Sequence, residues 1–293
     1  MDGVVVVDKA AGWTSHDVVA RFRRIAGIKK AGHLGTLDPI ATGVLPLVIG
    51  RATRLAQFYL HGDKVYEALV RFGWSTTTYD KAGEPASEKT PVHLDAAELE
   101  KLLARFRGEF LQVPPPVSAK KVAGKRAYEL ARQNVEVRLE PVRVQVYELT
   151  IEGVEGDQAR LRAHCSGGTY LRSIAHELGQ ALGCGAHLEE LRRTASSEFG
   201  IAQARTIEQL EALAAGERLL DALIPASSLL PEMADVFVNE LTAAQIRSGR
   251  NFAASPFRGA TGASHVKAIT YQGELVAIGE AVLPNLYHPA VVL

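Results

Sequence analysis

The chain has 293 residues, a length that suits one large folding unit plus a small one. Hydrophobic residues make up 47% and charged residues 23%, which permits an ordinary globular core. Lysine plus arginine and aspartate plus glutamate each total 33, so overall charge cannot attract a nucleic acid and any such partner requires charge segregated locally.

The opening "MDGVVVVDKAAG" carries an acid and a run of only four valines, which does not fit a signal peptide and points to the cytoplasm. No apolar stretch approaches the ~18 residues that a membrane span needs. The valines read as a short buried strand. Ser15 is placed to cap a helix over "HDVVARFRRI", where Val18, Val19, Phe22 and Ile25 recur at helical spacing. "RATRLAQFYL" reads as a short helix. "KVYEALVRFG" reads as a strand alternating through Val65, Ala68, Val70 and Phe72, followed by the loop "DKAGEPASEKTPVH". Asp95 opens a helix that Gly108 ends, and Pro114, Pro115 and Pro116 break any regular element after it. "VRVQVYELTI" and "ARLRAHC" pair as strands across "EGVEGD". "GGTYLRSIAHELGQALG" is a helix through Leu171, Ile174, Leu178 and Leu182. From near Met233 the character changes: a helix opened by Thr242, then short strands, make a small β-rich domain. Strands and helices mix without βαβ alternation, so the fold class is α+β with a largely antiparallel sheet. Cys165 and Cys184 sit in no paired motif and read as reduced thiols.

One stretch does not fit a structural role alone. "GHLGTLDPIATGVLPLVIG" is apolar and flexible, yet holds a single carboxylate, Asp38, before Pro39. An Asp-Pro pair is ordinarily a turn acid. Here Gly32, Gly35 and Gly43 let another molecule approach closely, and His33 and Thr36 add polar groups. A lone acid does not suit two-carboxylate glycoside hydrolysis, but it suits a nucleophile acting at a sugar or base.

The same stretch resembles the catalytic loop of the TruB family of pseudouridine synthases. Four further segments resemble that family in order: "VVVVDKAAGWTSHDVVARFRRI", "KVYEALVRFGWSTTTYDKAGE", "FRGEFLQVPPPVSAKKVAGKRAYELAR" and "CSGGTYLRSIAHELGQALGCGAHLEELRRT". Together they cover most of residues 3–200. The resemblance implies a mixed, largely antiparallel sheet core of the pseudouridine synthase type with flanking helices. It divides the chain into a catalytic domain over 1–232, with an RNA-clasping segment at about 110–135, and a small PUA-like domain over 233–293. It also implies isomerisation of the T-loop uridine at tRNA position 55 on a flipped-out base.

Residue roles follow from the resemblance alone. Asp38 matches the catalytic aspartate, Tyr66 a tyrosine that stacks on the base and takes part in proton removal, and Arg172 the arginine paired with the aspartate. Leu191 matches an apolar pocket residue, His33 a histidine that holds the T-loop open, and Asp80 an acid of the neighbouring loop. Without it, Arg172 reads as a surface helix arginine, Tyr66 as a cross-strand aromatic and Leu191 as core. Isomerisation involves no redox change, so no cofactor or metal is expected. The acid must stay ionised in an apolar setting, and a guanidinium beside it supplies that compensation.

Basic residues cluster where RNA would lie. Lys120, Lys121, Lys125, Arg126, Arg132 and Arg138 stand against Glu129 and Glu136, and "RFRRIAGIKK" has five cations and no acid. The expected partner is the tRNA T-stem-loop, bound by a monomer with no obligate protein partner and no membrane. One departure is Lys9-Ala10, where the family often has Lys-Pro. Rival readings are a non-catalytic RNA-binding protein and the guide-RNA-dependent branch of the same superfamily.

Overall fold

The four valines serve two cores at once. In the computed structural model, which describes residues 1–118, 139–255 and 262–293 and the backbone of 121–122 and 125–126, they lie in strand β1 (Gly3–Lys9). Val5 and Val7 enter one apolar cluster, and Val4 and Val6 enter another on the opposite face of the sheet. A strand buried on both faces reads as a continuous apolar run, which is why the valines are unbroken.

β1 belongs to a ten-stranded sheet. The chain adds β2 (Ala31–His33), β3 (Thr42–Ile49), β4 (Lys64–Phe72) and β5 (Gly108–Gln112). Two short strands, β6 (Lys121–Val122) and β7 (Lys125–Arg126), pair only with each other. Then follow β8 (Val142–Glu155), β9 (Gln158–Cys165), β10 (Ala186–Ser196), β11 (Phe199–Gly200) and β12 (Leu223–Pro225). The order is β12-β1-β3-β10-β4-β9-β8-β5, with β2 added to β3 and β11 to β10. Every strand pairing in this sheet is antiparallel except β3 with β10, where Thr42 faces Arg192 and Gly43 faces Arg193. That parallel junction lies just after the Asp38 loop and beside Leu191. The expected α+β class with a largely antiparallel sheet is what the chain adopts.

Helix α1 (Ser15–Ala26) packs Val18, Val19 and Phe22 on the sheet. Its cap is Thr14, not Ser15: Thr14 and Asp17 form a reciprocal capping box. Ser15 is buried instead, and its hydroxyl both accepts from Leu37 N and donates to Leu37 O. Residues Gly50–Tyr59 are 3-10 rather than α-helical. α2 (Ala96–Leu103) is capped by Asp95 as expected, but it ends at Leu103, and Gly108 at φ +86 begins β5 instead of ending the helix. α3 (Leu171–Ala181) and α4 (Ile207–Ala215) complete this part.

The last sixty residues form a second sheet of β13 (Ala234–Val238), β14 (Phe252–Ala253), β15 (His265–Thr270), β16 (Leu275–Leu283) and β17 (Leu286–Val292). α5 (Glu240–Arg247) packs on it and is capped by Asn239, whose side chain accepts from Thr242 N, so Thr242 is inside the helix rather than its cap. The two sheets share a core. Val4, Val44, Val48, Leu55 and Tyr59 cluster with Ile269, Leu275, Ile278 and Leu293. Cys165 and Cys184 are both free thiols. Among the described residues no helix is long and apolar enough to cross a membrane.

Candidate active site

A cavity of about 390 Å³ opens between the Asp38 loop, the start of β4 and the loop leading into α3. That volume lies in the range of about 300–1,000 Å³ typical of small-ligand sites. His33, Asp38, Tyr66, Tyr170, Arg172 and Leu191 all line it. The sequence separates these residues by up to 158 positions, and the parallel β3–β10 junction brings the outermost of them together.

Asp38 is the charged centre. Its side chain keeps 32% of its surface open, while Arg172 beneath it keeps 4%, and Arg172 Nε is 2.9 Å from Asp38 Oδ2. Burial pushes the Asp38 carboxyl above the usual carboxylate range, the Arg172 guanidinium pulls it down, and the nearby Asp80 charge pushes it up again. The net direction is upward, so Arg172 compensates for burial only in part.

Asp80 does not line the cavity. It is buried behind Arg172, with Oδ2 at 3.6 Å from Nη1. Its other oxygen accepts from Thr78 Oγ1 at 2.6 Å and Ala82 N at 3.0 Å. It therefore orients the arginine and cannot contact a ligand in the cavity. The carbonyl of Thr78 accepts from Arg172 Nη1 at 3.1 Å.

Tyr66 shares a face of β4 with Lys64, Ala68, Val70 and Phe72. Val65 points to the other face, so the strand's buried register is one residue off the alternation expected at that end. Burial pushes the Tyr66 phenol above its ordinary pKa. Its ring borders the cavity, where it can stack on a base. Leu191 is buried in the cavity wall, and His33 also lines the cavity. Lys120, Lys121, Lys125 and Arg126 lie outside the residues whose side chains are described, as do Arg132 and Arg138.

Three cations at the site escape sequence reasoning. Arg193 is buried and spans the base of the Asp38 loop, donating to Val44 O at 2.8 Å, Gly35 O at 3.0 Å and Thr36 O at 3.2 Å. Lys9, also buried, donates to Trp13 O at 2.7 Å, Ala10 O at 2.9 Å and Pro39 O at 3.4 Å. It ties β1 to the residue after Asp38, and desolvation lowers its pKa to about 8. Lys64 lines the cavity and is lowered to about 8 for the same reason. Each was detectable as a charged residue in phase with apolar ones on a strand: Arg193 with Leu191, Lys64 with Tyr66, Lys9 with Val5 and Val7.

Comparison with known proteins agrees with this geometry. Residues 23–171 match the model of the TruB family pseudouridylate synthase N-terminal domain, and residues 172–231 match that of the tRNA pseudouridylate synthase B C-terminal domain. The chain is 70% identical to tRNA pseudouridine synthase B of Solibacter usitatus, over 100% of both chains. It is 47% identical over 252 residues to tRNA pseudouridine synthase B of Symbiobacterium thermophilum, covering 85% of this chain and 82% of that one. A chain of a solved Cbf5-Nop10-Gar1 complex superposes with a TM-score of 0.71 at 28% identity, covering 97% of this chain and 79% of that one. A chain of an H/ACA RNP bound to a substrate RNA containing 2′-deoxyuridine gives 0.71 and 28%, with 96% and 78% covered.

A mixed sheet with an acid–guanidinium pair at the floor of a nucleoside-sized cavity defines a scaffold of the pseudouridine synthase class. Within that class, the chain belongs to the TruB family.

Proposed function

We propose that the protein isomerises the uridine at position 55, in the T-loop of tRNA, to pseudouridine, with Asp38 as nucleophile. The observation that carries this reading is the Arg172–Asp38 pair at 2.9 Å, made by residues 134 apart in sequence and open to a cavity of nucleoside size. The relatives named tRNA pseudouridine synthase B support the substrate.

The chemistry suits the site. The reaction breaks an N-glycosidic bond and joins the same sugar and base through carbon, with no net oxidation. The base must be held after it detaches, which calls for a closed wall and a stacking face. Tyr66 supplies the face and Leu191 the wall. Asp38 acts at the linkage between sugar and base, and Arg172 holds its carboxylate in one orientation. Asp80 orients Arg172 from behind. His33 meets the T-loop. An everted base costs a few kcal/mol of unstacking, and contacts in the cavity return it.

Residues 1–232 are the catalytic unit in this reading, and 233–293 a PUA-like unit docked on it. The basic segment at 120–138 meets phosphates, supported by its excess of positive charge. The protein works as a monomer in the cytoplasm with no obligate partner. The test is to incubate the purified protein alone with an unmodified tRNA transcript and map the product. Pseudouridine at one T-loop uridine is expected. Absence of product without added protein or guide RNA contradicts the reading and favours a partner-dependent enzyme.

A further inference from the structure

Tyr79 adopts φ +64, in the left-handed region that bulky side chains rarely enter. Such strain persists only where the surroundings impose it, and it gathers at functional sites. Two contacts impose it here. The Tyr79 ring lies flat on the His176 imidazole, with centroids 3.7 Å apart and planes within 9°. The Tyr79 carbonyl accepts from Leu188 N at 3.0 Å, and Lys81 N donates to Leu188 O at 3.0 Å, so the turn is stitched to β10.

The residues on either side of Tyr79 are the ones that grip Arg172. Thr78 gives its carbonyl to Nη1 and Asp80 its Oδ2. Arg172 and His176 are four residues apart on α3, one above the other on a shared face. The turn therefore meets the helix twice, polar contacts at Arg172 and a ring stack one turn on. His176 is half-buried, and its Nδ1 has no hydrogen-bond partner among the described residues. The ring face is what this imidazole contributes. Neither ring lines the cavity.

We propose that the Tyr79–His176 stack is a positioning clamp: it holds the Thr78–Asp80 turn against α3 so that Arg172 presents Nε to Asp38. Both are positioning residues that act through Arg172, and the inference rests on the function proposed above. The strained φ aims a carbonyl and a carboxylate, from residues two apart, at one guanidinium. A looser turn would let Arg172 swing within the cavity floor and cost rate without costing RNA affinity.

The test measures single-turnover rate and tRNA Kd for the wild type, Tyr79→Phe, Tyr79→Ala, His176→Ala and the double alanine variant. Each alanine variant is expected to lower the rate about tenfold with Kd changed less than about twofold. The double variant is expected to match the singles within about twofold, because both remove one contact. Tyr79→Phe is expected to restore the rate, since the ring face and not the hydroxyl makes the stack. If Tyr79→Ala does not fold, His176→Leu, which keeps volume and removes the flat ring, carries the same expectation. Alanine variants at the wild-type rate, multiplying losses in the double variant, or losses confined to Kd overturn the clamp. A wild type inactive on tRNA overturns the functional reading instead.

Discussion

Asp38 stands where its charge is disfavoured, yet the proposed reaction requires that charge. Burial raises its pKa, Arg172 opposes that shift, and Asp80 adds to it. In the proposed reaction the active form is the carboxylate, so the rate should fall as pH drops through this raised pKa. Asp80→Asn removes a like charge from behind Arg172, and the acid limb of the single-turnover pH profile should move to lower pH. A limb that stays in place or moves upward contradicts the electrostatic account of the site. The sequence made Asp38 conspicuous because no second acid accompanies it in an apolar loop. Its partner was not legible from spacing: Arg172 lies on an ordinary amphipathic helix, and only the resemblance pointed to it. Asp80 too was pointed to only by the resemblance, and its burial behind the arginine was not legible, since that depends on a turn folding back onto α3.

The Asp38 loop is held by its neighbouring strands rather than by itself. Arg193 forks to three carbonyls of the loop and of β3. A lysine cannot reproduce a planar fork, so Arg193→Lys should lower stability by about 2–4 kcal/mol in urea titration, as buried carbonyls lose donors. Gly43, at φ +98, faces Arg193 so closely that a Cβ would lie 2.2 Å from the Arg193 carbonyl. Gly43→Ala should therefore destabilise by about 2 kcal/mol or more and disturb the same junction. Either variant at wild-type stability contradicts this reading of the junction. At this scale the sequence was informative where period and burial coincide: β1, β4 and α3 all form. It misled at element ends. Ser15 looked like a cap, but its hydroxyl bonds Leu37, and the hydroxyl of Thr14 accepts from Asp17 N in its place. Asn239 likewise caps the helix that Thr242 seemed to open. Caps are decided by which hydroxyl or amide reaches a free N–H, and residue type alone does not show that.

Across the whole molecule, the two sheets are joined by a common core and by buried polar contacts. Lys267 in β15 is buried, donates to Ser227 O and Leu229 O at 3.2 Å, and pairs with Asp235 at 3.1 Å. Arg51, in the segment after β3, pairs with Glu274 between β15 and β16 at 3.3 Å on the surface. Such sharing couples the two parts, so calorimetry of the full chain should show one cooperative transition with calorimetric and van't Hoff enthalpies equal. Two separated transitions contradict it. A second sheet follows the change of composition near Met233, but its packing on the first was not legible, because the shared core is built from residues such as Val48 and Ile278 that lie far apart in sequence.

In the proposed reaction one carboxylate does the chemistry, in a site otherwise built to hold and stack a base. The most direct measurement is single-turnover conversion of tRNA by Asp38→Asn, with tRNA affinity measured on the same protein. A loss of roughly a thousandfold or more in rate is expected, on the scale seen when a nucleophile is removed, with Kd within about threefold of wild type. Product formed by Asp38→Asn at the wild-type rate would contradict it.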